Sequence, residues 1–136
     1  MKSPLWQFAD ETVFEKTPLD ILKGVARQLN IDTNEMFCAD VVQLVTEDNL
    51  VAVSFYVVVP SLRNYMYKLI EVLQPGFVKI YPVSITLFGI GEGNIFRENA
   101  SNATECEQQI EAFIRDSNTK QILSSLRRQI LKNDFQ

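Results

Sequence analysis

The spacing of apolar positions changes several times along the chain, and each change marks an element. After residue 17, Leu19, Leu22, Val25, Ala26 and Leu29 recur every three or four positions, which predicts a helix over residues 18–30 with one apolar face. Thr17 stands where an N-cap hydroxyl satisfies an orphan amide. Pro18 takes the first helical position, where no N–H is needed, and Asp20 lies three residues past the cap. Gly24 either weakens this helix or lets it approach a sheet closely. From Phe37 the residue types shift to Val, Phe and Tyr. Stretches 37–46 and 50–59 flank a polar Glu47-Asp48-Asn49 turn and read as a hairpin. The second strand is apolar on both sides, which predicts a central strand covered on at least one face. Pro60 ends it, because proline cannot donate to a ladder.

The next segment carries two patterns. Leu62, Met66, Leu69, Ile70 and Leu73 fit a helical face, whereas Tyr65, Tyr67 and Leu69 alternate with Asn64, Met66 and Lys68. The aromatic and β-branched content favours a strand over residues 63–73. Gln74-Pro75-Gly76 has the order a type II turn wants. A strand follows from Val78 to Phe88, with a bulge or unpaired edge at Pro82. Gly89, Gly91 and Gly93 make a loop, and Ile95–Arg97 is a short return strand.

Two helices close the chain. Asn102 with Glu105 forms a capping-box-like start, and Ala103, Cys106, Ile110, Phe113 and Ile114 form an apolar face. A break near Ser117-Asn118 begins the last helix, with Ile122, Leu123, Leu126 and Ile130 inward. The order predicts an α+β fold: an N-terminal helix, an antiparallel meander of four or five strands, and two C-terminal helices packed on the sheet. At 136 residues this is one domain, 1–136, preceded within it by an apolar lead-in arm, 1–16, that packs on the body or on a partner.

Composition narrows the chemistry. No histidine is present, which removes Ser-His and Cys-His nucleophilic pairs and the commonest metal ligand. Thirteen basic residues stand against 17 acidic, for a net charge of −4, a poor balance for gripping phosphate backbones. Cys38 and Cys106 form no CxxC pair. They read as small buried hydrophobes in a reducing compartment, with a single disulfide as the alternative. The first residues form no signal or transit peptide and no apolar run reaches 18 residues, so the expectation is a cytoplasmic protein with no membrane span. Asn99-Ala-Ser101 and Asn102-Ala-Thr104 match the glycosylation pattern and read instead as a turn and a helix start.

Several residue groups could carry function, each beside a plainer role. Gly89-Ile90-Gly91-Glu92-Gly93-Asn94 suggests a phosphate loop, but lacks the full spacing and opens no helix, so a hairpin loop is the better reading. Among the carboxylates Asp10, Glu11 and Asp40, Asp40 sits among apolar strand residues. It either faces a pocket or, as surface carboxylates mostly do, points to solvent. Tyr56, Tyr65, Tyr67 and Tyr81 interleave with Arg63, Lys68 and Lys79. Such a set stacks bases in sheet-based RNA readers, but no RNP-like motif is present and the net charge is wrong. Tyr and Arg also dominate protein interfaces, which makes Arg63, Tyr65 and Tyr67 the leading contact surface. Trp6 is a second anchor, either of the arm to the body or of the protein to a partner. Lys120, Arg127, Arg128 and Lys132 read as a solvated face that suits the helix dipole.

Two stretches, Thr17-Pro18-Leu19-Asp20-Ile21-Leu22-Lys23 and Phe55 to Leu69 with its Pro60-Ser61-Leu62-Arg63-Asn64-Tyr65 core, resemble a loose group of small uncharacterised bacterial proteins. The Tyr81-Pro82-Val83 step belongs to the same likeness, which spans most of residues 17–130. The resemblance implies a bacterial, cytoplasmic protein and a strand over 63–73, and assigns no activity.

Three functions follow as expectations. The first is a non-enzymatic protein-binding domain, an inhibitor or immunity-type protein that neutralises a partner enzyme, with no cofactor, metal or nucleic acid. The second is a small enzyme or ligand binder using carboxylates and tyrosines in a cleft between sheet and helices. The third is an assembly subunit of a phage or secretion system that builds a homo-oligomer through a sheet edge or the Trp6 arm.

Overall fold

The computed structural model describes residues 5–8, 15–91 and 95–133. Its elements, in chain order, are α1 (Pro18–Asp32), β1 (Cys38–Val45), β2 (Val51–Val59), β3 (Tyr65–Gln74), β4 (Val83–Phe88), β5 (Ile95–Ala100), α2 (Ala103–Arg115) and α3 (Ser117–Asn133). A 3-10 turn, Pro60–Leu62, joins β2 to β3. The strands form one antiparallel sheet in the order β1-β2-β3-β4-β5, so the α+β meander with one leading and two closing helices is the fold.

The caps sit where the side chains dictate. Thr17 Oγ1 accepts from the Asp20 amide at 3.3 Å, and the Asp20 carboxylate accepts from the Thr17 amide at the same distance. That box satisfies two donors which the first helical turn leaves unpaired. At the other end Thr33 Oγ1 donates to the Leu29 carbonyl at 2.8 Å, and the helix runs to Asp32, past the expected end at residue 30. Asn102 Oδ1 accepts from the Glu105 amide at 2.9 Å and starts α2. The break between α2 and α3 falls at Asp116, whose carboxylate accepts from the Asn118 amide at 2.8 Å. Buried Thr119 donates to the Phe113 carbonyl at 2.6 Å, so an end-of-helix acceptor stays paired inside the protein.

One face of the sheet meets all three helices. Val53, Phe55, Val57, Ile70, Val72, Ile85 and Leu87 are buried there against Ile21 and Leu22 of α1, Cys106, Ile110 and Phe113 of α2, and Ile122 and Ile130 of α3. A bulge in β3 explains the double pattern of its sequence. Phe55 pairs with Ile70 and Tyr56 with Lys68, so Leu69 is the extra residue, and Leu69 and Ile70 are both buried in the core. The phase slip breaks strict alternation and leaves apolar spacings that imitate a helix.

Three expectations need correction. The strand expected from Val78 begins only at Val83, opposite Ala100, because Pro82 has no N–H to offer; Pro82 lies before the ladder rather than at a bulge in it. Gly76 does not have the positive φ that the third residue of a type II turn requires, and residues 75–82 form a longer connection. The return strand is not three residues but six, Ile95–Ala100, and pairs along the whole of β4. Its polar Arg97, Glu98 and Asn99 are exposed at the sheet edge, where no apolar alternation is needed to hold them.

Candidate functional site

The second face of the sheet carries no helix among the described residues. Side chains directly opposed across an antiparallel pair share a face. By that rule Cys38, Asp40, Val42 and Leu44 of β1 lie beside Ala52, Ser54, Tyr56 and Val58 of β2, then Met66, Lys68, Glu71 and Leu73 of β3. Val42, Leu44 and Met66 are exposed by 42%, 51% and 44%, although all three are apolar. Ala52 and Val58 are buried but stand outside the helix-side core. The polar members are organised. Lys68 pairs with Glu71 and lies 5.4 Å from the Phe88 ring centre, and Ser54 hydrogen-bonds to the same Glu71 carboxylate at 3.4 Å.

At one end of the sheet the β2–β3 connection projects Arg63, Asn64, Tyr65 and Met66, all exposed. Arg63 and Asn64 both have left-handed backbones, with φ of 56° and 58°. For Arg63 that costs about 1–2 kcal/mol, whereas asparagine adopts this region readily, and both residues sit at the tip that exposes Arg63 and Tyr65.

The tyrosines do not form one cluster. Tyr56 lies on the uncovered face. Tyr65 and Tyr67 pair with Val59 and Val57 and therefore point to the helix side. Tyr67 is half-buried, and its hydroxyl donates to the Phe88 and Gly89 carbonyls at 3.2 and 3.0 Å, fixing the start of the glycine loop. Burial, then neighbouring Tyr65, raises its pKa. Tyr81 lies apart and donates to the Lys16 carbonyl at 2.7 Å. It belongs to a latch that ties the end of the lead-in across the fold. Glu15 accepts from the Ala103 amide at 3.0 Å, at the positive end of α2, and Lys16 lies 3.8 Å from Glu107. Burial holds the Tyr81 hydroxyl far above its usual pKa. Burial, followed by the Glu107 carboxylate, pushes the adjacent Cys106 thiol up to about 11 against the opposing pull of the Tyr81 hydroxyl. A thiol so buried and protonated is inert.

Other candidates find their places. Cys38 and Cys106 are both free, so the disulfide alternative falls away, and Cys38 is only half-buried. Asp40 is exposed opposite Tyr56, on the face away from the helices, so it lines no cleft there. Trp6 is 83% exposed, and Leu5 and Phe8 beside it are exposed too, so none of these three is an anchor to the body. Asp10 and Glu11 lie outside the described residues, as do Glu92, Gly93 and Asn94. Gly89 to Gly91 lead from β4 towards β5 and open no helix, and the Ile90 amide donates to Asn118 at 3.2 Å. Lys120, Arg127, Arg128 and Lys132 are exposed along α3.

A cleft of about 720 Å³ runs between α1 and the α2–α3 pair, a place that sequence spacing alone did not locate. Its walls include Lys23 and Arg27 on one side and Glu107 and Glu111 on the other, over Phe55, Val57 and Leu69. Those floor residues are nearly fully buried, so the opening narrows towards its base. Among the described residues no group of three or more Cys, Asp or Glu gathers to hold a metal, and no helix is long and apolar enough to cross a membrane. Comparison with protein-family models, curated proteins and solved structures finds no match, so the bacterial resemblance rests on its quoted residues alone.

Proposed function

We propose that this chain is a non-enzymatic protein-binding domain that engages its partner with the uncovered sheet face and the Arg63–Met66 tip, in the manner of an inhibitor or immunity protein. The observation that carries the reading is the exposed apolar set Val42, Leu44 and Met66 on a face the helices leave open. Val42 and Leu44 are neighbours on β1 and Met66 stands beside the tip, so the apolar contacts lie at two places on this face with Asp40, Tyr56 and Lys68 between them. Arg63 and Tyr65 supply the residue types that anchor interfaces, and Trp6 adds an exposed ring. Tyr67, with its hydroxyl occupied, supports the tip from behind. A net charge of −4 speeds encounter with a basic partner surface. A bacterial cytoplasm is the setting this reading takes from the sequence resemblance. Affinity capture of the tagged chain from its host, read by mass spectrometry, tests it. One stoichiometric protein should be retained by the wild type and lost by the Arg63→Ala/Tyr65→Ala variant. Equal retention by both overturns the assignment.

The cleft supports a second reading, a binder of a small ligand, since its volume lies within the ~300–1,000 Å³ of ordinary ligand sites. Its apolar floor and mixed-charge walls suit a small amphipathic molecule. A thermal-shift screen should then yield a hit that Leu69→Trp, filling the floor, abolishes. A hit indifferent to Leu69→Trp argues against the cleft.

A further inference from the structure

The two edges of the sheet are built differently. β5 presents Arg97 and Glu98, charges that discourage another strand from adding to it. β1 has fewer of the usual protections. It is eight residues long, contains no Pro or Lys, pairs with β2 without a bulge, and carries one charge, Asp40. Among the described residues its outer side has no partner strand. Val42, Leu44 and Val45 are all exposed beside that open ladder.

We infer that β1 pairs antiparallel with β1 of a second copy of this chain, about a two-fold axis at Gln43, to make one continuous ten-stranded sheet in a weak dimer. The sequence of the strand selects both the occupant and the register. An axis perpendicular to the sheet keeps each face on its own side, so only registers centred on a residue preserve the alternation. Centred on Gln43, Val42 opposes Leu44 of the second copy on the uncovered face, and Val41 opposes Val45 on the helix side. Each exposed apolar side chain then meets another. Centred on Val42, Leu44 would face Asp40; centred on Val41, Val42 would face Asp40.

Charge does not select this register: Glu47 and Asp48 of the second copy fall opposite Ala39 and Cys38, next to Asp40, which keeps the pairing weak. With Gln43 on the axis, Asp40 faces the Thr46 hydroxyl, and the two Asp40 carboxylates stand six residues apart along the strands. At about 3.4 Å per residue that is roughly 20 Å, beyond the ~8 Å screening length of physiological salt. Area sets the strength. An eight-residue strand is roughly 27 Å long, and one strand edge of that length covers a few hundred Å² per copy. This is below the ~800 Å² per partner of a standard complex, so the dimer forms with rising concentration rather than obligately.

Sedimentation velocity of the full chain over a wide concentration range tests the inference. The weight-average mass should climb from 15.6 kDa towards twice that value. The Val42→Lys/Leu44→Lys variant, which puts four cations at the axis, should stay monomeric throughout. Should that variant not fold, Gln43→Cys in a Cys38→Ser background decides instead. Opposed residues have Cβ atoms about 4.5–5.5 Å apart, wider than the ~3.5–4.5 Å of a disulfide but within reach of a short bis-thiol-reactive cross-linker joining Cys side chains on the axis. Gln43→Cys should cross-link into dimers, while Val42→Cys or Leu44→Cys alone should cross-link far less. A chain that stays monomeric at every concentration overturns the inference. So does a dimer that survives Val42→Lys/Leu44→Lys, or one that Gln43→Cys cannot trap.

Discussion

The two faces of the sheet are apolar for different reasons. On the helix side, Val53, Phe55, Val57, Ile70, Val72 and Ile85 are sealed by α1, α2 and α3, and their burial drives folding. On the other side Val42 and Leu44 of β1 and Met66 of β3 stay in water although they belong to the same sheet. Folding alone gives no return for those positions, whereas a partner surface would. β2 alternates within one strand: Phe55 and Val57 meet the helices, while Tyr56 and Val58, each one position further on, look the other way.

The comparison breaks most visibly at Phe55. Phe55→Ala should cost about 3–5 kcal/mol in urea denaturation, because a ring is lost from a packed site. Equal losses for Phe55→Ala and Met66→Ala would mean that both faces are core. High pH acts on the helix side alone. The Cys106 thiol, with a pKa raised by burial to about 11 from an ordinary 9, keeps its proton in the fold longer than in the unfolded chain. Its contribution is whole below about pH 9 and falls away as pH rises towards about 11. Half-buried Tyr81 and Tyr67 are shifted in the same direction, so stability measured by denaturant titration should decline over alkaline pH. Cys106→Ala should make that decline shallower, and an identical slope would remove Cys106 from the explanation. Asn102→Ala, which deletes the cap of α2, should cost about 1 kcal/mol, with loss of helical circular dichroism on heating at a lower temperature. Met66→Ala, on the uncovered face, should change stability by no more than about 0.5 kcal/mol.

Much of the fold was legible because caps and periods announce themselves locally. Thr17-Pro18 and Asn102 marked helix starts, and the Glu47-Asp48-Asn49 turn marked the first hairpin. β3 was harder to read, since a bulge at Leu69 shifts the phase of alternation in a way only the register with β2 explains. Only Ile95–Arg97 of the edge strand β5 is legible in the sequence, because exposed Glu98 and Asn99 beyond it obey backbone pairing rather than an apolar period. For the site, residue types pointed to Arg63 and Tyr65, which the β2–β3 tip does expose. They also grouped Tyr67 and Tyr81 with them, although each hydroxyl is spent on a backbone carbonyl elsewhere. Val42 and Leu44 carried a readable signal, two apolar residues at the same strand parity as Asp40, but which face lacked helices depended on long-range packing.

The most direct test of the uncovered face is side-chain oxidation footprinting of the chain alone and with its captured partner bound. Met66 and Tyr56 are oxidisable reporters on that face, Tyr65 reports the tip from the helix side, and Met36 in the α1–β1 connection serves as the reference. Strong protection of Met66 on the face and of Tyr65 at the tip is expected on binding, with Met36 unchanged. Unchanged oxidation at Met66 and Tyr65 while the partner is bound would contradict it.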